Sequence, residues 1–368
     1  MDTVKSPGGQ IRFSLPHIRR GSSVPLLEPA KCKLTLGQLL KKSSPNSESQ
    51  ARLRAWKSNR PSQVYGSPLK TALLPSPWPN DIDSPRPLLA ASAYFKTAIG
   101  SVYGVRKSHN QDSYFDQTVN SECRVLGLCD GHGAKGHLVS RLVADELPGL
   151  VFRKLDQMDR YSLSAAIVSS YDECSELVKT SKNDFRASGC ACISLVFTSS
   201  YILCANLGHT QALIGRFLNG VWSVYQLSKE HRPDQDSELT RILSQGGEVA
   251  ISKRLHTGPA RVYIKGTQFP GLCISRALGD TLVEPIGVLP EPEITYFQPS
   301  PMDKFLLLAT YGLWEVISSV EAVRMTAKHL KLSPQNAPGA LVLEAQRRWK
   351  GRGGLVDDIT VMLVVLDQ

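Results

Sequence analysis

The sequence predicts an α+β fold: a two-layer antiparallel β-sandwich flanked by α-helices on both sides. Three observations point there. Strand-like apolar runs outnumber helical ones, they come in consecutive groups joined by short turns, and segments with helical spacing lie between the groups. A parallel doubly wound sheet would need a helix after nearly every strand instead. No internal repeat is present.

Residues 1–90 read as a separate, disordered basic tail. They carry 14 Lys and Arg against 5 Asp and Glu, so about +9 of the net charge of +10 resides there, along with 12 of the 23 prolines. Such a segment cannot bury enough apolar surface to offset its chain entropy. Within it only KLTLGQLLKK, 33–42, has amphipathic spacing. Five Ser-Pro pairs (Ser6-Pro7, Ser44-Pro45, Ser67-Pro68, Ser76-Pro77, Ser84-Pro85) are candidate targets of proline-directed kinases. The tail's charge also suits contact with nucleic acid or an anionic membrane, although no aromatic interleaving or recognised binding motif accompanies it.

From residue 91 to 368 the character is that of a folded domain. The predicted strands are RVLGLCD (124–130), ACISLVFTS (191–199), YILCANLG (201–208), QALIGRF (211–217), VWSVYQL (221–227), KFLLLAT (304–310) and ITVMLVVL (359–366). Helical spacing marks 137–156, 162–180, 237–247, which ends on a glycine, and 337–349. The start of the chain lacks the apolar segment of a secretion signal, and no long uncharged apolar run occurs. Most of the eight cysteines lie inside apolar runs, where a reduced thiol acts as a small hydrophobe. Both features predict an intracellular protein. Cys190 and Cys192 lack a second pair and do not make a zinc site.

The most informative stretch is LCDGHGAKGH, 128–137. Asp130 ends an apolar strand before a glycine-rich turn, which fixes a carboxylate where backbone can approach a ligand closely. SHNQDSYF (108–115) adds Gln111 and Asp112, and LVDDITV (355–361) puts Asp357 and Asp358 before a buried strand. Singly, each is commonly a cap or a turn residue. Together, acidic strand ends far apart in sequence are what a hard divalent ion gathers.

In order along the chain, RKSHNQDSY, LCDGHGAKGH, ASGCACISLVF, ANLGHTQALIG, LSKEHRPDQDSELTRILSQGGEV, CISRALGD, PEPEIT, ATYGLWEVIS and DDITVMLVV resemble the motifs of the metal-dependent protein phosphatases of type 2C. The resemblance covers about 95–368. It implies hydrolysis of phosphoserine and phosphothreonine in proteins at a binuclear magnesium or manganese (Mg2+ or Mn2+) centre, where the ions activate a water for in-line attack on phosphorus. By motif, Asp130 would bridge the ions, Gly131 would offer its carbonyl, and Asp357 and Gln111 would complete the metal set. Gln111 stands where the family commonly has Glu. Asp112 would position the attacking water and His132 would give a proton to the leaving oxygen. Arg106 or Lys107 would bind the phosphate.

One motif departs sharply. The family's Ser-Asp-Gly, whose aspartate binds metal, is Thr310-Tyr311-Gly312 here, and a neutral phenol is a poor ligand for a hard ion. His209 and Gln211 replace the Asp and Arg of a second motif, and Glu315 replaces the Asp after tryptophan. The resemblance with these departures implies fewer ions than the usual binuclear centre. It leaves two functions open: a phosphatase with a weakened site, or an inactive regulator that binds phosphoproteins or kinases. A monomer is expected in either case.

Overall fold

The computed structural model describes residues 91–98, 100–102, 105–120, 123–156, 163–198, 201–251, 258–353 and 355–366. The expectations for the basic tail, its 33–42 segment and its Ser-Pro pairs lie outside them. In chain order the first strands are β1 (Ser92–Ala98), β2 (Ser101–Val102), β3 (Val105–Arg106), β4 (Asp112–Asn120) and β5 (Cys123–Gly133). Helices α1 (Gly136–Asp156) and α2 (Leu163–Lys179) follow, then β6 (Ser188–Phe197), β7 (Ile202–Leu207), β8 (Gln211–Leu218) and β9 (Val221–Gln226). Next come α3 (Asp236–Ser244), β10 (Gly247–Ile251), β11 (Ala260–Ile264), β12 (Pro270–Leu272), β13 (Leu278–Gly279), β14 (Glu293–Phe297) and β15 (Asp303–Ala309). The chain closes with α4 (Tyr311–Trp314), α5 (Ser319–Leu330), α6 (Ala337–Gly351), β16 (Leu355–Val356) and β17 (Ile359–Val365).

Two antiparallel sheets form the sandwich. One has the order β1-β17-β15-β8-β9 and the other β14-β7-β6-β5-β4, with β13 pairing β6. The predicted α+β sandwich is therefore the observed one. Small sheets β10-β11-β12 and β16-β2-β3 stand apart from the two main sheets.

The side-chain period of two explains why the central strands read as unbroken apolar runs. In β6, Ile193, Leu195 and Phe197 join the layer between the sheets with Leu126, Leu128, Leu306, Leu308 and Met362. The alternate residues Cys190, Cys192 and Val196 join α1 and α2 through Val139, Leu147, Ile167 and Tyr171. Phe305, Leu307 and Val361 do the same on the far side with Leu341 and Trp349 of α6. With both faces covered, alternation disappears from the sequence. Each large side chain so buried is worth about 1.5–3 kcal/mol against exposure.

Two local expectations are corrected, and one helix was not anticipated. The strand expected to stop at Asp130 runs on to Gly133, because β6 begins at Ser188 and offers Ala191, Cys190, Gly189 and Ser188 as ladder partners for residues 130 to 133. Asp130 thus sits inside a paired strand and not at the mouth of a turn. Gly247, read as a helix stop, opens β10, after α3 has ended at Ser244. Helix α5, which no periodicity announced, is started by a capping box in which the Ser318 side chain and Glu321 satisfy each other's backbone donors.

Candidate active site

The site is assembled where the ends of both sheets meet. Asp112 opens β4 and stands directly across from Asp130 of β5 in the ladder. The Asp112 Oδ2 accepts hydrogen bonds from the hydroxyls of Thr310, 2.9 Å, and Thr360, 2.7 Å. These threonines belong to the other sheet's β15 end and β17, so one carboxylate ties the two layers together. Asp112 is only 9% exposed, and its Oδ1 is buried without a hydrogen-bond partner. Burial first, and then Asp130, Asp358 and Asp357, push its pKa well above the ordinary carboxylate range against the pull of Thr360.

Asp130 Oδ2 accepts the backbone N–H of Tyr311 at 2.9 Å. Its carboxyl is pushed up to about 7, by burial foremost and by Asp357, partly offset by that N–H and by His132. Gly131 donates its N–H to the Gln111 carbonyl at 3.1 Å, which draws the two motif segments side by side. The Gln111 side chain donates through Nε2 to the carbonyl of Gly133, 2.7 Å, and so braces the Gly-His-Gly segment. A glutamate there would bring no such donor.

Asp357 and Asp358 face Lys107. Its Nζ lies 3.0 Å from Asp357 Oδ1 and 3.1 Å from Asp358 Oδ2. Burial works against the ammonium, but the two carboxylates outweigh it and the lysine pKa is raised. Arg106, the other phosphate-binding candidate, lies in β3 opposite Ser101.

At the end of β15 the Tyr311 hydroxyl donates to Glu315 Oε2 at 2.8 Å. Glu315 Oε1 in turn accepts from Arg352 at 2.9 Å. The tyrosine ring stacks on His209, with centroids 4.9 Å apart. Burial, and then Glu315, raise the phenol pKa further. His209, whose Nδ1 is 3.7 Å from Asp130 Oδ2, is lowered to about 3, by burial and then by His132, and is therefore neutral. Gln211 is spent on Glu230, to which its Nε2 donates at 2.6 Å.

His132 Nε2 pairs with Asp280 Oδ2 at 2.5 Å. Burial opposes the imidazolium, but Asp280 more than compensates and the histidine pKa is raised. Asp280 is 2% exposed and adopts φ 49°, held by its N–H donating to the Ser188 carbonyl at 2.9 Å. A Cβ at position 189 would lie 2.4 Å from Asp280 Oδ2, so Gly189 is what lets this carboxylate reach the ring. Asp280 was missing from the candidates read from sequence, as were Thr310 and Thr360. The signal for Asp280 was present: it closes CISRALGD after a glycine. The threonines carry no signal, because their role depends on two distant strands ending at the same height.

Asp130 with Gly131, backed by the unpartnered Oδ1 of Asp112, is a donor set that fits one hard divalent ion. The strand end where the resemblance places a further carboxylate carries Tyr311, and Asp357 is engaged by the Lys107 ammonium. Among the described residues no three His, Cys, Asp or Glu side chains are grouped as ligands of one ion.

The antiparallel sandwich with helices outside carries an acidic cluster at one end, with a His-Asp pair beside it. The family described as Protein phosphatase 2C matches residues 101–350, and the chain belongs to that family. It is 31% identical to Probable protein phosphatase 2C 61 of Arabidopsis thaliana over 257 residues, which cover 67% of this chain and 77% of that protein. It is also 31% identical to Probable protein phosphatase 2C 48 of Oryza sativa subsp. japonica over 289 residues, 67% of this chain and 80% of that protein. The crystal structure of serine-threonine phosphatase 2C from Toxoplasma gondii shares the fold with a TM-score of 0.66 at 22% identity, covering 77% of this chain and 97% of that one. Proteins of this family depend on magnesium or manganese and act on phosphoproteins. No helix among the described residues is long and apolar enough to cross a membrane.

Proposed function

We propose that this chain is a catalytically inactive member of the family that binds phosphoproteins. A single observation carries the reading: Tyr311 stands at the strand end where the family places a metal-binding aspartate, and its hydroxyl is committed to Glu315. Asp130 and Gly131 would hold one Mg2+ or Mn2+, with Asp112 behind them. A divalent ion bound there supplies charge neutralisation and a more acidic water. The chain's own groups supply the rest: Asp112 orients donors across the two sheets, and His132, held by Asp280, keeps a proton within the site. Recognition of phosphoserine or phosphothreonine, with kinases as a second class of partner, follows from the retained frame. The His132–Asp280 pair also favours a second reading, a slow phosphatase, because a positioned proton donor has little use in a pure binding protein.

Tyr311→Asp tests the proposal, with manganese titration by calorimetry and phosphopeptide turnover read on both proteins. Native protein is expected to take up no more than one ion, weakly, without turnover. The variant is expected to bind manganese at least about tenfold tighter and to gain activity, since a charged oxygen donor returns to a prepared strand end. Turnover by native protein would overturn the reading in favour of the phosphatase.

A further inference from the structure

We infer that Lys107 is a tethered cation, an ammonium built into the chain where the Asp357 and Asp358 carboxylates converge, which closes this corner of the domain without a divalent ion. The inference goes beyond the functional proposal, which rests on Tyr311.

The ammonium is one node of a closed set of contacts between two segments remote in sequence. Its Nζ donates to Asp357 Oδ1 and to Asp358 Oδ2 at 3.0 and 3.1 Å. Asp358 is buried, and backbone also donates to it: the N–H of Gly100 to Oδ1 at 2.6 Å and the N–H of Gln111 to Oδ2 at 3.1 Å. Asp357 Oδ1 also accepts the N–H of Asp358 at 2.9 Å. The Lys107 backbone N–H is itself bonded to the Gly100 carbonyl at 3.0 Å. At position 100 a Cβ would lie 2.3 Å from the Val356 carbonyl oxygen and 2.7 Å from the Asp357 carbonyl carbon. Only glycine permits that approach. The segment from Gly100 to Gln111 and the turn into β17 are thus seated on each other around one fixed positive charge.

An isolated pair of carboxylates so placed would repel and would call for a cation from solution. A lysine in that place has the opposite consequence. The charge is supplied at unit effective occupancy by the chain, and a divalent ion approaching Asp357 meets an ammonium that must first leave. Among the described residues no ammonium stands against the neighbouring Asp112 and Asp130, and Asp112 Oδ1 is buried without a partner.

The full chain with Lys107→Met, which keeps the length of the side chain and removes its charge, tests this by thermal melting in chelator and in manganese and by manganese calorimetry. Compared with native protein, Lys107→Met should melt about 5–10 °C lower in chelator, regain at least half of that loss in manganese, and bind manganese about tenfold or more tighter, since the two freed carboxylates then recruit the ion. The double variant Lys107→Met with Asp358→Asn should recover melting in chelator and lose the gain in manganese affinity. If Lys107→Met does not fold, folding of the double variant still supports the charge balance. The inference is overturned if Lys107→Met melts like native protein in chelator and binds manganese no tighter. It is equally overturned if the double variant is as damaged as the single one, which would mean that the lysine stem and not its charge holds the corner. None of these readings depends on turnover, so they stand apart from the test of Tyr311.

Discussion

Two groups of carboxylates in this domain are treated in opposite ways. Glu238, 1% exposed, is enclosed by matched partners: Arg241 Nη1 and Nη2 donate at 2.7 and 2.6 Å, Arg276 Nη2 at 2.9 Å and the Ser275 hydroxyl at 2.6 Å. Burial opposes its charge, yet the arginines and the serine win and hold its pKa down at about 2. At the sandwich end the Lys107 ammonium pairs with Asp357 and Asp358, while Asp112 and Asp130, with no such partner among the described residues, are both pushed upward. The first cluster is a completed structural joint. The second carries a deficit of positive charge, which is a feature of sites that bind ions or run chemistry.

The largest effect should come from breaking the completed joint. Glu238→Ala leaves two arginines partly buried without their carboxylate and should lower stability by about 3–5 kcal/mol, measured by denaturant unfolding. The pH dependence has a definite sign. Because the folded pKa lies below the unfolded value, the stability Glu238 contributes is present above about pH 4.5 and is lost as pH falls toward about 2. Glu238→Gln should flatten that acid limb. A limb unchanged in Glu238→Gln would show that the joint is not coupled to folding in this way.

The deficient cluster should respond with the opposite sign. Asp130→Asn keeps an acceptor for the Tyr311 N–H and removes one uncompensated charge, so in chelator at pH 8 it should stabilise the protein by about 1–2 kcal/mol. Asp130 is raised in the folded state to about 7, so its contribution to stability is present at low pH and is lost as pH rises from about 4 through 7. The gain should therefore vanish near pH 4, and manganese binding should vanish at every pH. A destabilised Asp130→Asn in chelator at pH 8 would erase the contrast between the two clusters.

The sequence made the two-sheet architecture legible because strands buried on both faces leave long Val, Ile and Leu runs, and because glycines bound them. It also made the acidic frame legible: Asp112, Asp130 and Asp357 each sit next to such a run, in motifs whose order identifies the family. What stayed hidden is what depends on register and on side-chain direction. That Gln111 would spend its amide on Gly133, that Lys107 and not solvent would face Asp357, and that the Tyr311 hydroxyl would turn toward Glu315 are outcomes of three-dimensional competition for partners. Asp280 belongs to the same class, since its reach to His132 depends on a glycine in a neighbouring strand.

The smallest expected effect separates the ring of Tyr311 from its oxygen. Tyr311→Phe removes only the hydroxyl that donates to Glu315, a partly exposed acceptor that keeps Arg352 on its other oxygen. The stability cost should be below about 1 kcal/mol. The stack on His209 needs only the ring, so it should persist, and the ring's bulk should still stand where a carboxylate would otherwise be. Manganese uptake should therefore match that of native protein in both stoichiometry and affinity, in contrast to the tightening expected for Tyr311→Asp. A marked loss of manganese affinity in Tyr311→Phe, read by calorimetry, would mean that the phenol oxygen leaves Glu315 to serve as a ligand. In that event the deficient cluster would hold one more donor than its hydrogen bonds reveal, and the ring would be a participant in the site and not its plug.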